Sequence, residues 1–514
     1  MTQPTFNLWT EPWITVETYD GGTVLTSIFD VLLNAHTYKD IYDPSPLVIV
    51  GIHRLLTAIV QDIYDPQHEE EIAAIWQQQH FATDRLEQFG VAYGNRFDLF
   101  SQDYPFMQSA DLPKHVPKGK SKNFANRLAY ELPGGSEVTH YLHSEEVNTV
   151  FCPACAAKGL IMLPAFATAG GRGYGTSIAG MPPIYMLPKG KKLFHNLVLS
   201  LVNPSYQPST NVSRQNDTVW WKHSPVVQLE KLNKVGYLHG LTMPTRRVRL
   251  HTDFVTGTCM QCSIRTEIGV YSIEWGAGES YDKNAPFWSD PFVSYVVTDD
   301  GAKAIRLSSG KALWRDYATL FMRGRSNRQA GILRQFAELE DYHSDVLSHE
   351  SILTLRCIGF RNDPRKAAKL LEWVDSEMVI ATALLDDEEA TYVVQNSVNF
   401  ATECSGKINA IFQEAFARSK KDERYRKTKQ QMIDAFWRDL SIPFRQYVIS
   451  LVDVDNREQQ ETDWIDTVVR TGLKVFQEAA AQVGTGAHTL RQSVQGENRC
   501  RVALYKVRKD WKGA

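Results

Sequence analysis

The chain has 514 residues, and its 56 Lys+Arg against 59 Asp+Glu leave a formal charge of −3. Apolar residues at 43% and charged residues at 22% give the balance of a globular protein that buries a large core without disulfides, which excludes collagen-like, low-complexity and disordered chains. The near-zero charge argues at first against nucleic acid, although a whole-chain sum hides local patches.

Residues 7–16, NLWTEPWITV, are aromatic and β-branched and run into Gly21-Gly22, which predicts a hairpin. From Ser27 to about Ile63 the apolar spacing is helical, with Ile49, Ile52, Leu55, Leu56, Ile59 and Val60 on one face. Pro44 and Pro46 divide this stretch into two helices. No run reaches the roughly 18 consecutive apolar residues of a membrane span. The N-terminus carries neither a basic nor an apolar leader, so a cytoplasmic protein with no membrane partner is expected. Residues 109–146, with Lys118, Lys120 and Lys122 among prolines and polar residues, have the texture of a long surface loop. Between 150 and 365 short strands and Gly/Pro turns are expected. After Asn362-Asp363-Pro364 the texture changes, and from about 366 to 512 only Pro443 interrupts sustained helical periodicity. Ile411, Phe412, Ala415 and Phe416 share one face, as do Val468, Val469, Leu473 and Phe476. The expected fold class is α+β: a large mixed domain over residues 1–365, then a helical bundle over 366–514.

Seven cysteines, an odd number, argue against a disulfide framework in a reducing compartment. Cys152 and Cys155 form one C-x-x-C pair, Cys259 and Cys262 another. Two such knuckles supply four thiolates, the donor set of a structural zinc ion with no open position for catalysis. Two unrelated pairs, or a redox pair, are the alternatives. Cys357, Cys404 and Cys500 stand alone and read as small buried apolar residues.

The segment Gly170-Gly171-Arg172-Gly173-Tyr174-Gly175 has the spacing of a phosphate loop, but Thr176 stands where the lysine belongs. What is left is backbone able to approach another backbone closely, or a plain turn. Local charge is more telling. Residues 303–334 sum to +7, residues 405–445 to +5 and residues 485–514 to +5. Such patches neutralise phosphates, although a solvated helix face is the alternative for any one of them. Compensating acids cluster elsewhere, as in Asp386-Asp387-Glu388-Glu389. Zincin, serine-hydrolase, kinase and Walker motifs are missing, which does not exclude an enzyme but makes one less expected.

The order of NLWTEPWITV, CPAC, a glycine loop ending in GMPP, CMQC and the basic RGRSNRQAGILRQF (323–336), closed by a helical C-terminal region, resembles one family. It is the large subunit of the type I-E CRISPR surveillance complex Cascade, the CasA family, and the resemblance spans essentially the whole chain. It implies a non-catalytic subunit at the 5′ end of the CRISPR RNA (crRNA), beside the backbone and small subunits. Such a subunit has a large, irregular N-terminal domain that reads the protospacer-adjacent motif of double-stranded target DNA from the minor groove, and its C-terminal four-helix bundle helps to hold the opened strands. It also serves as a landing surface for the helicase–nuclease. By resemblance, a wedge that splits the duplex and starts the R-loop falls on Arg328, Gln329 and Ala330. The glycine loop that approaches the minor groove falls on Gly170, Gly171, Arg172 and Gly173, with Arg172 departing from glycine. A lysine finger into the same groove falls on Lys283, and the loop that touches the crRNA handle and the motif falls on Tyr141, Leu142 and His143. A minor-groove reader should tolerate related motifs, and guide pairing would read the remaining sequence. The rival from another class, a zinc-containing nucleic-acid-processing enzyme, would need an open metal position or a carboxylate cluster.

Overall fold

The computed structural model describes residues 4–113, 123–131, 150–169, 173–209, 212–222, 226–227, 229, 231–299, 301–308, 312–324, 327–348, 351–363, 366–416, 423–484 and 486–512. They form two compact units. The first comprises Met1–Leu307, Arg328–Ser348 and Leu353–Glu377; the second comprises Ser308–Asn327, His349–Ile352 and Met378–Ala514.

The first unit opens on the expected hairpin, Ile14–Glu17 paired antiparallel with Thr23–Thr26, and Asp40–Ile41 adds to its other side. Trp9 anchors it by packing on Phe89 and Phe97 at ring separations of 5.2 and 5.7 Å, and Trp221 stacks on Phe97 at 5.6 Å. The two helices read from the sequence follow. Ile28–Leu33 is capped by Ser27, whose Oγ accepts the Asp30 N–H at 3.0 Å. Pro46–Tyr64 begins with proline, where a helix needs no N–H. Pro46–Tyr64 is long and apolar enough to cross a membrane, yet it is buried without a break from Pro46 to Gln61 and is the central core helix of this unit. Its Gly51 admits the helix Pro153–Phe166 so closely that a Cβ there would lie 2.9 Å from the Ile161 carbonyl oxygen. That contact fixes the helix whose N-cap is Cys152 and whose first turn carries Cys155.

Midway along the core helix, Arg54 is 2% exposed and forms an ion pair with Asp290 at 2.8 Å. The guanidinium also lies over the Tyr185 ring, 4.9 Å from its centroid. Region 150–365 is more ordered than its glycines and prolines suggest. The helix Pro153–Phe166 is apolar on all sides because it is buried on all sides, so it shows no amphipathic stripe. The strands Arg246–Thr258 and Arg265–Ala277 form one long antiparallel hairpin.

Residues 366–381, read as the start of the helices, are instead the strand Lys366–Ala381. It pairs with Ile352–Asp363, which in turn pairs antiparallel with Tyr185–Lys189. Exposed Leu371, Trp373, Asp375 and Glu377 alternate with half-buried neighbours, the period of two that marks a strand.

In the second unit four helical rods form the bundle: Glu388–Ala415; Glu423–Asp439, continued after Leu440 by Ser441–Ser450; Arg457–Val483; and Ala487–Lys512. Pro443 is the third residue of Ser441–Ser450, where no intrahelical N–H bond is lost. The predicted face of Ile411 and Phe412 is buried, with Phe412 stacked on Tyr425 at 5.7 Å and edge-on to Phe476 at 5.7 Å. Tyr447 stacks on Trp464 at 5.3 Å. Cys404 and Cys500 are fully buried here, as Cys357 is in the first unit. The acidic run at 386–389 has a structural task. Asp387 accepts the Ala390 N–H at 2.8 Å as N-cap, and Arg457 pairs with Asp387 and, at 3.5 Å, with Glu389.

Candidate functional site

Two features of the first unit stand out, a thiol cluster and a loop face. Cys152 is the N-cap of the helix Pro153–Phe166 and Cys155 lies in its first turn. Cys259 and Cys262 sit at the tip of the long hairpin. There the Cys259 N–H donates to Ile264 O at 2.8 Å, the Ser263 N–H returns to Cys259 O at 2.8 Å, and Ser263 takes a left-handed φ of 61°. Backbone bonds bring the two knuckles together across a hundred residues of chain. Phe151 and Val270 exchange N–H···O bonds at 2.8 and 2.9 Å, and the Met260 N–H donates to Val150 O at 2.9 Å.

The four Sγ atoms consequently lie within 4.8 Å of one another, with Cys152 and Cys262 3.8 Å apart. Tetrahedral zinc with Zn–S bonds of about 2.3 Å has sulfur–sulfur edges of about 3.8 Å, whereas a disulfide is about 2.05 Å. The donor set fits zinc. Crowding splits the proton affinities. Cys152, Cys259 and burial push the Cys155 thiol well up, while hydrogen bonds from Cys152 and Cys155 hold Cys259 well down. Four thiolates at this spacing need a cation to be ionised together. Among the described residues, this is the one group of three or more His, Cys, Asp or Glu side chains spaced to hold a metal ion.

The loop face begins at the glycine segment. Gly173 has φ 85°, a backbone region that other residues enter only with strain. A Cβ on Gly173 would meet the Ala277 Cβ at 3.9 Å, and one on Gly175 the Ser280 Cβ at 3.1 Å, so this segment lies against the C-terminal end of the long hairpin. Its two ends are tied. The Ser177 N–H donates to Ala167 O at 2.9 Å, and the Arg246 guanidinium donates to Thr168 O at 2.5 Å and Gly175 O at 2.9 Å. Arg246 is 4% exposed, and burial draws its pKa below the ordinary arginine value. In the sequence it is one basic residue among several in TRRVR; only the fold makes it a clamp.

Lys283 is exposed in a turn three residues beyond Ser280, where the Ala285 and Asn284 N–H groups donate to Asp282 O and Oδ1 at 3.0 and 2.8 Å. Phe287 follows, 39% exposed, with the Arg328 guanidinium 5.7 Å from its ring centroid. Gly173 and Gly175, Lys283 and Arg328 are thereby joined by one short path of contacts and chain. Gln329 and Ala330 are placed differently from their neighbour. Gln329 is 4% exposed, and Ala330 is fully buried with its N–H on Ser294 Oγ at 3.0 Å, because the amphipathic helix Gly331–Tyr342 that starts there must pack. Burial and the nearby Arg328 charge lower the pKa of Arg334 on this helix. Gly170, Gly171, Arg172, Tyr141, Leu142 and His143 lie outside the described residues.

The summed charge of the basic stretches overstates the free charge. Arg315 stacks 3.8 Å from the Trp437 ring centroid, and Arg334 lies over Tyr206 at 5.4 Å. Arg438 pairs with Asp439 at 3.0 Å, Arg501 with Glu497 at 3.2 Å, Arg508 with Asp466, and Arg499 with Glu414. Arg426 and Lys427 remain exposed on Glu423–Asp439.

An α+β unit with a four-thiol centre and a basic loop face, together with a unit built as a four-helix bundle, defines the class. Over residues 7–475 the sequence matches the family described as CRISPR-associated protein Cse1, and the chain belongs to that family. It is 27% identical to CRISPR-associated protein CasA/Cse1 of Thermus thermophilus over 519 residues, 96% of each protein. Its fold is that of Cse1 from Acidimicrobium ferrooxidans, with a TM-score of 0.79 at 21% identity covering 99% of both chains. A chain of a solved CRISPR RNA-guided surveillance complex is similar over 98% of this chain and 100% of that one, with a TM-score of 0.71 at 18% identity.

Proposed function

We propose that this chain is the large, non-catalytic subunit of a cytoplasmic type I-E surveillance complex, in which it reads the protospacer-adjacent motif of double-stranded DNA and starts R-loop formation. The observation that supports this reading is that Gly173 and Gly175 pack against Ala277 and Ser280, Lys283 is exposed between Ser280 and Phe287 in the chain, and the Arg328 guanidinium lies over Phe287. Backbone that can approach closely, an extended cation and a guanidinium are the means by which a protein enters a minor groove and grips phosphates. Gly170, Gly171 and Arg172 complete the glycine loop, and Tyr141, Leu142 and His143 meet the crRNA handle. Gln329 acts from a buried position, so its wedging follows an opening of the Arg328–Ala330 segment that DNA contact drives. The first unit reads the motif; the bundle from Glu388 to Lys512 lies beside the small subunits and holds the opened strands. The surface also receives the helicase–nuclease. Cys152, Cys155, Cys259 and Cys262 hold a structural zinc ion that fixes the long hairpin to the helix Pro153–Phe166, and with four protein ligands it has no open position for chemistry.

The test uses the complex assembled with its crRNA and partner subunits. Gln329→Ala is expected to slow R-loop formation about tenfold while duplex association stays within about threefold, since the wedge acts on separated rather than paired bases. Lys283→Ala is expected to weaken association with motif-bearing duplex and to flatten its salt dependence by about one unit of log–log slope. An unchanged R-loop rate for Gln329→Ala across a set of varied motifs places the wedge elsewhere.

A further inference from the structure

Resting on that reading, we propose that Phe287 and Arg328 form a stacking platform for the first base released when the duplex opens. Two of the three wedge residues offer little surface: Gln329 is 4% exposed, Ala330 is fully buried, and the Ala330 N–H is engaged by Ser294. The side chains that stand out there are Phe287 and the first wedge residue, half-buried Arg328. Phe287 is 39% exposed, an apolar ring left facing solvent four residues from Lys283 and under the Arg328 guanidinium at 5.7 Å.

Phe287 is also held firmly. Its ring meets Tyr295 edge-on at 4.9 Å and 87°. Tyr295 is 1% exposed and its Oη accepts the Asp290 N–H at 2.8 Å. Pro286, one residue earlier, is held through its carbonyl by the Tyr281 hydroxyl at 2.6 Å. A rigid ring with a planar cation beside it presents π surface without first losing side-chain freedom, and any base can stack there because every base has a π face. The platform thus fits an unpaired nucleotide rather than a base pair. It traps the opened step and leaves sequence choice to the groove contacts and the guide. Phe287→Ala removes the ring, Phe287→Tyr keeps it, and neither touches the Gly173, Lys283 or Gln329 positions.

The experiment measures R-loop formation by the assembled complex on a duplex carrying 2-aminopurine at the first pair beside the motif. Phe287→Ala should leave motif-dependent duplex association within about twofold and slow R-loop formation at least about fivefold, as loss of one base–aromatic stack implies. In R-loops formed to completion, the 2-aminopurine should be brighter with Phe287→Ala than with the unaltered chain, because its base is no longer stacked. Phe287→Tyr should restore both the rate and the quenching, which a merely structural defect would not allow. An unaltered rate and unaltered fluorescence in Phe287→Ala overturn the platform while the motif-reading function stands. Loss of motif preference in the unaltered complex overturns that function, and the platform with it.

Discussion

Replacing Cys155 with serine should release the metal ion from the full-length chain and lower its stability by several kcal/mol. In small zinc-finger peptides the ion contributes about 10–16 kcal/mol, because no site exists before folding. Here the fraction should be smaller. The Phe151–Val270 and Met260–Val150 backbone bonds already hold the two knuckles together, and Gly51 seats the helix Pro153–Phe166 in the core. What the ion adds is compensation for sulfur atoms that lie within 4.8 Å of one another, three of them on buried residues. Metal content after dialysis and the urea midpoint of the same samples check this. About one zinc per unaltered chain is expected, with none retained by Cys155→Ser and a lowered midpoint. Equal metal content and equal midpoints would mean that the cluster is only a group of thiols.

Asp290→Ala should be as damaging, at about 3–5 kcal/mol, because it leaves a buried guanidinium without its counter-charge. Arg54 is 2% exposed, and its Nε and Nη2 atoms have no hydrogen-bond partner, so the 2.8 Å contact to Asp290 carries the compensation. Asp290 also organises its own loop, since its Oδ1 accepts the Phe292 N–H at 3.0 Å. Replacing both members with apolar residues, Arg54→Met with Asp290→Leu, should recover most of the loss, because no charge is then left in the core. A loss under about 1 kcal/mol for Asp290→Ala would show that water reaches the pair. The position matters beyond stability: the same stretch receives the Ile332 N–H at Pro291 O and backs Phe287 through Tyr295. A weakened core therefore loosens the loop face.

Local patterns carried much of this architecture into the sequence. The first hairpin, the core helix, the helical character of the bundle and both C-x-x-C knuckles follow from alternation, a 3.6-residue period, proline placement and cysteine spacing. Convergence of the knuckles did not follow, because it depends on the long hairpin and on backbone bonds between Phe151 and Val270 that leave no trace in composition. The helix Pro153–Phe166 was hidden by being apolar all round, and the strand Lys366–Ala381 by a chain that turns helical soon after it. At the loop face, Lys283 and Arg328 were legible as cations within a family pattern, Lys283 exposed and Arg328 half-buried. Arg246 was not, since a buried clamp and a surface cation look alike in TRRVR, and Phe287 in NAPFWSD reads as any core aromatic. Basic counts misled in the other direction. Arg315, Arg438, Arg499, Arg501 and Arg508 are engaged by neighbours within their own unit.

The decisive measurement compares complexes assembled with and without this chain on two duplexes that share the guide-matched sequence, one bearing the adjacent motif and one with it scrambled. With the chain present, R-loop formation on the motif-bearing duplex should exceed that on the scrambled one by about a thousandfold or more, the lower end of the range of specific over non-specific DNA binding. Without the chain, that difference should collapse. Equal discrimination by complexes lacking the chain would contradict a role in motif reading.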